Sequence, residues 1–271
     1  MKATKHEAAG NDFLVVLDPD DTVALSMGQV RLIADRRRGI GADGVIVVGP
    51  GRHGTDLSMV LHNADGSLAE MSGNGIRCLA QAAVDAELVA PPRFTVTTGG
   101  GVRTLDYVDE GRGQARASVD MGPARLGPDQ PQKYEDRRVR TVDVGNPHLV
   151  LLGPDTAEVK VGQLGPAIQS SFAEGINVEW ITVCRDEVGP FLDFRVFERG
   201  VGETLACGTG SVAAAAAARS WGQVDASDPV RVRNPGGMLT VRLGDAEDDT
   251  TFLSGPVRKV ADVVIHPGLL T

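Results

Sequence analysis

The sequence predicts an α+β protein of two pseudo-symmetric domains, each a mostly antiparallel sheet curled around one central helix. Three observations lead to this prediction. Short β-branched segments separated by Gly, Pro and Asp dominate both halves of the chain, a pattern typical of antiparallel-rich sheets. Only two segments have strong helical spacing of apolar residues. Several sequence features also recur about 135 residues apart.

This recurrence involves four pairs of features. Ser72 and Cys207, which are 135 positions apart, each precede a Gly-x-Gly sequence that opens an apolar segment. The Gly-Asn pairs at 10–11 and 145–146 have the same separation, and Gly-Gly and Gly-Pro turns recur at similar ones. We therefore expect two similar domains that face each other, each with a small polar side chain at a helix N-terminus. Such a site can contact one substrate carbon from both sides, as the inversion of a stereocentre requires.

In the first half, β-branched segments predict strands, and apolar residues from Ile76 to Leu88 fall at helical spacing. A shorter amphipathic segment, Met27–Arg37, predicts a peripheral helix. The predicted strands are Phe13–Leu17, Gly44–Val48, Leu57–His62 and Phe94–Thr98.

In the second half, six consecutive alanines between Gly210 and Trp221 predict a helix. Alanine has high helix propensity and lets another backbone approach closely, so we expect this helix to be buried. Lys160–Ser170 predicts a peripheral helix. The predicted strands are Val139–Val144, His148–Leu152, Asn177–Val183, Phe191–Phe197, Val230–Val232, Leu239–Leu243 and Val257–Pro267.

The domain boundary is predicted in the stretch 122–138, which is rich in Pro, Gly, Gln and charged residues. The expected domains are residues 1–121 and residues 122–257. Residues 258–271 would complete the first domain if the last predicted strand returns to its sheet.

The composition and motifs of the chain exclude several functional classes. The net charge of −9 excludes a broad basic surface for nucleic acid. No apolar run is long enough to span a membrane, and three cysteines are too few for a disulfide framework, so we expect a cytoplasmic protein. No His/Cys/Asp cluster has metal-ligand spacing and no nucleotide-binding glycine motif is present, so no metal or cofactor is expected.

Cys207 lies in Cys-Gly-Thr-Gly, at the predicted start of the alanine helix. First-turn N–H groups and the helix dipole bind anions such as a carboxylate and are expected to lower the pKa of a thiol. A buried, chemically inert cysteine is the alternative. Ser72 occupies the corresponding place in Ser-Gly-Asn-Gly, but its hydroxyl is a far weaker acid, and plain helix capping is the alternative there.

The motifs around these positions resemble those of diaminopimelate epimerases, and the resemblance covers essentially the whole chain in family order. The first signature is similar to 63–67 (NADGS) and 70–78 (EMSGNGIRC). The other similar blocks are 10–13 (GNDF), 39–44 (GIGADG), 145–148 (GNPH), 175–178 (GINV) and 198–210, from ERG to CGTG.

The resemblance implies a cofactor-free homodimer that interconverts LL- and meso-2,6-diaminopimelate for lysine and peptidoglycan precursor synthesis. In that family two cysteines flank the α-carbon; Cys207 matches one, and Ser72 replaces the other. His148 and Glu198 match residues that touch the reacting amino group and tune the acid–base pair. The residues expected to hold the reacting α-carboxylate are Gly73, Asn74, Gly208 and Thr209. Those expected to read the substrate's amino and carboxylate groups, chiefly at its distal end, are Asn11, Asn63, Asn146, Asn177 and Arg199.

Two positions depart from the family pattern, Ser72 and Gly44. No role transfers to Gly44, which stands where some members carry a side chain. Ser72 has three explanations: a substitution introduced to trap substrate, a natural variant in which serine or a relayed water donates the proton, or drift to another activity. The protein is expected to be impaired as an epimerase. The alternatives are a proline or hydroxyproline racemase or dehydratase relative and a catalytically silent amino-acid-binding homologue.

Overall fold

The computed structural model describes residues 1–129, 137–153, 155–225, 228–246 and 249–270. These residues form seventeen strands, four α-helices and one 3-10 turn. The prediction of a sheet-rich α+β protein with few helices is thereby confirmed. The chain divides into two compact units, Met1–Val119 with Gly255–Thr271, and Asp120–Ser254.

The first unit contains two helices and the strands that precede and follow them. Their bounds are β1 Lys2–Ala8, β2 Asn11–Leu17, α1 Met27–Ala34, β3 Gly44–Pro50, β4 Leu57–Asn63, β5 Leu68–Ala69, α2 Gly73–Asp85, β6 Arg93–Thr98, β7 Gly101–Gly111 and β8 Gln114–Gly122, which continues into the second unit.

Strand pairing in the first unit is mixed in direction. The pairs β1–β2, β3–β4, β6–β7 and β7–β8 are antiparallel, whereas β2–β3 and β4–β6 are parallel. Helix α2 packs against β1, β2, β3, β4 and β7, and its residues from Gly73 to Ala83 are buried. The apolar spacing of α2 therefore corresponds to a helix enclosed by strands of its own unit.

The second unit has the same number of helices. Its elements are β9 Arg125–Asp129, β10 Arg138–Asp143, β11 Pro147–Leu152, α3 Val161–Gln169, β12 Asn177–Arg185, β13 Pro190–Glu198, β14 Gly202–Glu203, α4 Gly208–Ser220, β15 Val230–Asn234, β16 Gly237–Arg242 and β17 Thr251–Val264, which continues into the first unit.

The pairing pattern of the first unit recurs in the second. The pairs β10–β11, β12–β13, β15–β16 and β16–β17 are antiparallel, whereas β11–β12 and β13–β15 are parallel. The register also matches, because His148 pairs with Asn177 in β11–β12 where Phe13 pairs with Gly44 in β2–β3. Positions in one unit therefore have defined equivalents in the other.

Helix α4 packs against β10, β11, β12, β13, β15 and β16. All six alanines, Ala213 to Ala218, are buried. Methyl side chains let the strand backbones approach this helix closely, as the alanine run predicts. The two shorter helices are peripheral: α1 covers a cluster with Leu14 and Val45, and α3 covers one with Leu149 and Trp180.

The last strand, β17, pairs antiparallel with β1, so the C-terminal segment returns to the sheet of the first unit. Strands β1, β5, β7, β8, β9 and β14 were not predicted. Strand β9 lies inside the stretch predicted as a domain boundary, and residues 130–136 of that stretch lie outside the described residues. None of the helices that the structure describes is long and apolar enough to cross a membrane.

Candidate active site

Ser72 is the N-cap of α2. Its backbone is extended, and its Oγ accepts a hydrogen bond of 3.0 Å from the N–H of Gly75. A Cβ built on Gly75 would lie 3.2 Å from the methyl carbon Cδ1 of Ile46, so the neighbouring wall is apolar. Among the described residues, no titratable side chain is hydrogen-bonded to Ser72. The hydroxyl is therefore held as a cap and is not activated by a base within its own unit.

Behind Ser72, four side chains form a hydrogen-bonded chain, which we call the Arg77 relay. Nη2 of Arg77 donates to Oδ1 of Asn74 (2.8 Å), and Nδ2 of Asn74 donates to Oδ1 of Asn11 (2.6 Å). Nδ2 of Asn11 donates to Oδ2 of Asp43 (2.9 Å). A guanidinium only donates and a carboxylate only accepts, so the two ends fix the orientation of both amides.

Arg77 is fully buried, and its Nε and Nη1 have no hydrogen-bond partner in the described part of the chain. Burial lowers the pKa of Arg77 to about 10, against the opposing effects of Cys78 and Glu7. This buried cation lies one turn into α2, where it adds positive charge to the helix N-terminus. The arrangement suits an anionic ligand group at Gly73 and Asn74.

The far end of the relay is anchored by ion pairs. Nζ of Lys5 lies 2.8 Å from Oδ2 of Asp12, and Nη2 of Arg36 lies 2.5 Å from Oδ1 of Asp12 and 2.7 Å from Oδ1 of Asp43. Burial opposes ionisation of Asp12, but hydrogen bonds from Arg36 and Lys5 outweigh it and lower the pKa of Asp12 to about 2. Asp43 is thus held in place at the end of the relay.

Asn63 is not part of the Arg77 relay. Its side chain is exposed and donates to Oγ of Ser67 at 3.0 Å. Gly44, which pairs with Asn63 across β3 and β4, has no room for a side chain, because a Cβ there would lie 2.6 Å from the carbonyl oxygen of His62.

Cys207 is the N-cap of α4, with nearly the backbone conformation of Ser72. Its Sγ accepts from the N–H of Gly210 at 3.4 Å and lies 3.5 Å from Oγ1 of Thr209. The side chain of Asn234 stabilises the start of α4, because its Oδ1 accepts a hydrogen bond of 3.3 Å from the N–H of Cys207. Cys207, Gly208 and Thr209 thus lie together at one helix tip.

The expected lowering of the pKa of Cys207 is wrong for the protein without substrate. Burial raises the pKa of the thiol well above its usual range, and Glu198 and Glu179 raise it further. The hydrogen bonds to Thr209 and Gly210 only partly offset this effect. The helix dipole acts over one turn, whereas loss of hydration affects the whole thiolate. Burial therefore favours the neutral form of the Cys207 thiol.

His148 and Glu179 form a fully buried pair, with Nδ1 of His148 2.6 Å from Oε1 of Glu179. The other ring nitrogen, Nε2, lies 2.9 Å from Oδ1 of Asn146. Burial raises the pKa of Glu179, and His148 opposes the shift. The three side chains form a second hydrogen-bonded chain, the Glu179 chain, in the unit that contains Cys207.

Asn177 and Arg199 are neighbours in the structure, and their side chains are hydrogen-bonded to backbone groups. Nδ2 of Asn177 donates to the carbonyl of Pro147 at 3.1 Å, and its Oδ1 accepts from the N–H of Arg199 at 2.9 Å. The guanidinium of Arg199 is exposed and donates to the carbonyl of Glu174 at 3.2 Å. Glu198 accepts a hydrogen bond from Oγ1 of Thr204. The predicted roles of these residues in binding and catalysis stay predictions.

Sequence reasoning missed Glu179, Arg77 and Asn234. Glu179 stands between Val178 and Trp180 in a predicted strand, where period-two alternation would turn a carboxylate to solvent. All five residues from Asn177 to Ile181 are buried instead, because α4 covers one face of β12. The nearly continuous apolar sequence around Glu179 could have predicted its burial, because such a sequence is typical of a strand buried on both faces.

Comparison with known proteins identifies the family. The family model for diaminopimelate epimerase matches residues 3–127 and 140–260. The diaminopimelate epimerase of Halorhodospira halophila is 39% identical over 279 residues, which cover 96% of this chain and 93% of that protein. The chain belongs to the diaminopimelate epimerase family. It is accordingly an isomerase of the epimerase class, which confirms the family and enzyme class predicted from the sequence.

Solved structures resemble this member of the diaminopimelate epimerase family at much lower identity. A probable proline racemase from Agrobacterium radiobacter aligns with a TM-score of 0.72 at 15% identity over 98% of this chain and 92% of that chain. A PhzF-family phenazine biosynthesis protein from Bacillus anthracis aligns with a TM-score of 0.75 at 15% identity over 98% of this chain and 99% of that chain. At such identity the likeness concerns the fold alone.

Proposed function

We propose that the protein converts LL-2,6-diaminopimelate to the meso isomer by cofactor-independent proton transfer at the α-carbon, in lysine and peptidoglycan precursor synthesis. The observation that supports this most is Cys207 as the N-cap of α4, because the first-turn N–H groups of a helix bind anions. The family match supports this choice of substrate, because the relative from Halorhodospira halophila is named diaminopimelate epimerase.

In the proposed reaction the substrate carboxylate is bound by the residues that the family resemblance implies, Gly208 and Thr209 of α4 and Gly73 and Asn74 of α2. The Cys207 thiolate removes the α-proton, so the C–H electron pair stays on carbon and an S–H bond forms. A proton then reaches the opposite face of the carbon from the Ser72 hydroxyl or from a relayed water, and solvent reprotonates the donor. The substrate ammonium brings a positive charge towards Cys207 and so lowers the thiol pKa in the complex, where the thiol first gives its own proton to solvent.

The Ser72 hydroxyl makes the second half of this reaction slow. A serine O–H is a much weaker acid than a thiol, and the apolar wall at Ile46 offers no base to relay a proton. A correctly placed general acid or base is typically worth about 10²–10⁴-fold in rate. We therefore expect slow epimerisation by the native chain.

Proton exchange in deuterated water tests this proposal. Exchange at the α-carbon and inversion are measured separately for each diaminopimelate isomer, with the native chain, Ser72→Cys and Cys207→Ser. Ser72→Cys is expected to raise the inversion rate by about 10²–10⁴-fold, and Cys207→Ser to abolish exchange. Fast inversion by the native chain with no gain in Ser72→Cys would contradict the two-thiol mechanism.

A proline or hydroxyproline racemase or dehydratase relative is the second candidate, because the fold likeness to a proline racemase and a hydroxyl at position 72 both fit it. Arg199 and the asparagines Asn11, Asn63, Asn146 and Asn177 instead suit a substrate with a second charged end. Parallel assays with D- and L-proline separate the two. A silent binding protein would bind diaminopimelate by calorimetry yet exchange no α-proton even as Ser72→Cys.

We also propose a cytoplasmic homodimer, on the family resemblance alone. Light scattering of the purified protein at micromolar concentration tests the dimer, because a monomer has a mass of 28.4 kDa.

A further inference from the structure

We propose that Glu179 is a positioning residue for the reaction, which keeps a proton on Nε2 of His148 and thereby fixes the amide of Asn146. The inference rests on the proposed function, because it assigns these residues to that same site. It adds a residue to which the resemblance gives no role.

The geometry of the Glu179 chain supports this role. Glu179 and His148 are fully buried and 2.6 Å apart. The second carboxylate oxygen, Oε2, is buried and has no hydrogen-bond partner in the described part of the chain. A buried carboxylate with one unsatisfied oxygen is costly, and a pair kept only for stability would be expected to satisfy both oxygens.

Oδ1 of Asn146 lies 2.9 Å from Nε2 of His148 and can only accept, so Nε2 carries the proton of this hydrogen bond. With Nε2 protonated, an ionised Glu179 requires a second proton on Nδ1, and His148 then donates to both Glu179 and Asn146. If Glu179 is protonated, it donates to Nδ1, and the neutral ring keeps its proton on Nε2. Nε2 therefore donates to Oδ1 of Asn146 in both states. The amide N–H₂ of Asn146, which has no partner among the described residues, is left to donate to an acceptor such as a substrate carboxylate.

Glu179 also lies against the first turn of α4. A Cβ built on Gly210 would lie 2.9 Å from Oε1 of Glu179 and 3.2 Å from Sγ of Cys207, so both atoms border one methyl-sized space. Gly210 leaves that space open. The Glu179 chain is thus packed directly against the tip that presents the reactive thiol.

The described residues of the first unit form no equivalent of the Glu179 chain. By the register of the matching strand pairs, Phe13 stands at the place of His148 and Ile46 at the place of Glu179. Ile46 even borders the equivalent glycine, Gly75, as Glu179 borders Gly210. The two helix tips are therefore chemically different, and the buried acid–imidazole pair belongs to the cysteine side alone.

Nitrogen-15 NMR of the histidine rings tests the proton position in the native chain at pH 7 without substrate. The protein has five histidines, so comparison with a His148→Asn sample assigns the signals. Nε2 of His148 is expected to be protonated. An unprotonated Nε2 would overturn the proposal, whatever the protein's activity proves to be.

Two substitutions separate positioning from packing. Glu179→Leu removes the hydrogen bond but keeps an apolar volume, so folding is expected to persist. The His148 ring should then show mixed tautomers. The value of kcat/KM should fall by about 10–100-fold, which is typical when the hydrogen-bond partner that orients a functional side chain is removed. Glu179→Gln can still donate to Nδ1, so it should retain one Nε2–H form and recover most of kcat/KM. Both are measured in the native and Ser72→Cys backgrounds.

Gln81→Leu is the matched control, because Gln81 is a buried partner of a buried histidine, His6, at 3.0 Å in the first unit. It should leave kcat/KM within about twofold of its parent, as expected for a site away from the chemistry. Unchanged kinetics and ring signals in Glu179→Leu would overturn the proposal, as would an equal loss in Glu179→Gln. If neither background exchanges diaminopimelate protons, the proposed function fails, while the ring signals still decide the role of Glu179.

Discussion

At the residue scale, the two helix tips have the same geometry and different chemistry. Ser72 and Cys207 are both extended N-caps that accept a hydrogen bond from the third residue of the helix. Their environments differ, because Cys207 is buried beside Glu179 and Glu198 whereas Ser72 borders an apolar wall. The chemical difference between the two helix tips therefore includes the side chains of β12 and β13 as well as the capping residue.

The burial of the three cysteines predicts the order in which they react with iodoacetamide at pH 7.5. Burial raises the thiol pKa of all three, but Cys184 is only half-buried and should be alkylated first, whereas the buried Cys78 and Cys207 should react slowly. Peptide mass spectrometry over time measures the order. A Cys184→Ser sample should lack the fast phase, and labelling of Cys207 as fast as Cys184 would contradict the neutral buried thiol.

The polarity of the Arg77 relay predicts a coupling between Asn11 and Asp43. Asn11→Asp can still accept from Asn74 but cannot donate to Asp43, so it should lower the free energy of unfolding by about 1–3 kcal/mol. Asp43→Asn restores a donor at the far end. In a double-mutant cycle by urea denaturation, the pair should show a favourable coupling of about 1 kcal/mol. Additive effects would mean that the relay is not a unit.

At the element scale, the alanine run makes α4 sensitive to added volume. Ala215 is fully buried among strands, so Ala215→Leu should lower the free energy of unfolding by about 1–3 kcal/mol through overpacking. Chemical denaturation measures the effect. Ser220→Leu, at an exposed position of the same helix, should change stability by less than about 0.5 kcal/mol. Equal effects at both positions would contradict a tightly enclosed helix.

The elements that sequence reasoning recovered are those with apolar periodicity. All four helices and the β-branched strands were predicted, because their patterns do not depend on what packs against them. Strands β1 and β8 were missed because they are rich in residues such as Lys, Ala, Glu and Asp, which have weak β-propensity. These two strands form because they pair with β17 and β7. Ser72 and Cys207 were found through a repeated motif, whereas the burial of Glu179 depends on the placement of α4, which no local pattern contains.

At the scale of the whole molecule, carboxylates that are hydrogen-bonded in the folded protein determine how its free energy of unfolding falls at acid pH. The pKa of Asp12 is about 2 in the folded protein, below the unfolded value of 3.8. Its ionised form therefore stabilises the fold above about pH 4, and that contribution is lost as pH falls towards 2.

Thermal unfolding between pH 5 and pH 2.5 tests this pH dependence. The loss attributable to Asp12 should be about 1–2 kcal/mol, and Asp12→Asn should flatten the slope while lowering stability at pH 5. A slope unchanged by Asp12→Asn would show that other carboxylates, such as Asp35 and Asp186 with pKa values also about 2, dominate the acid transition.

The pairing of β1 with β17 has a consequence for synthesis on the ribosome. Strand β1 can pair with β2 at once, but Lys2 also pairs with Val264, so the second partner strand of β1 is made about 260 residues later. At roughly 5–20 residues per second, that delay lasts for ten seconds or more. The continuous segment 120–254 is complete only about ten residues before Val264. Neither unit can thus form all of its strand pairs until translation is nearly finished, so both remain accessible to chaperones for most of synthesis.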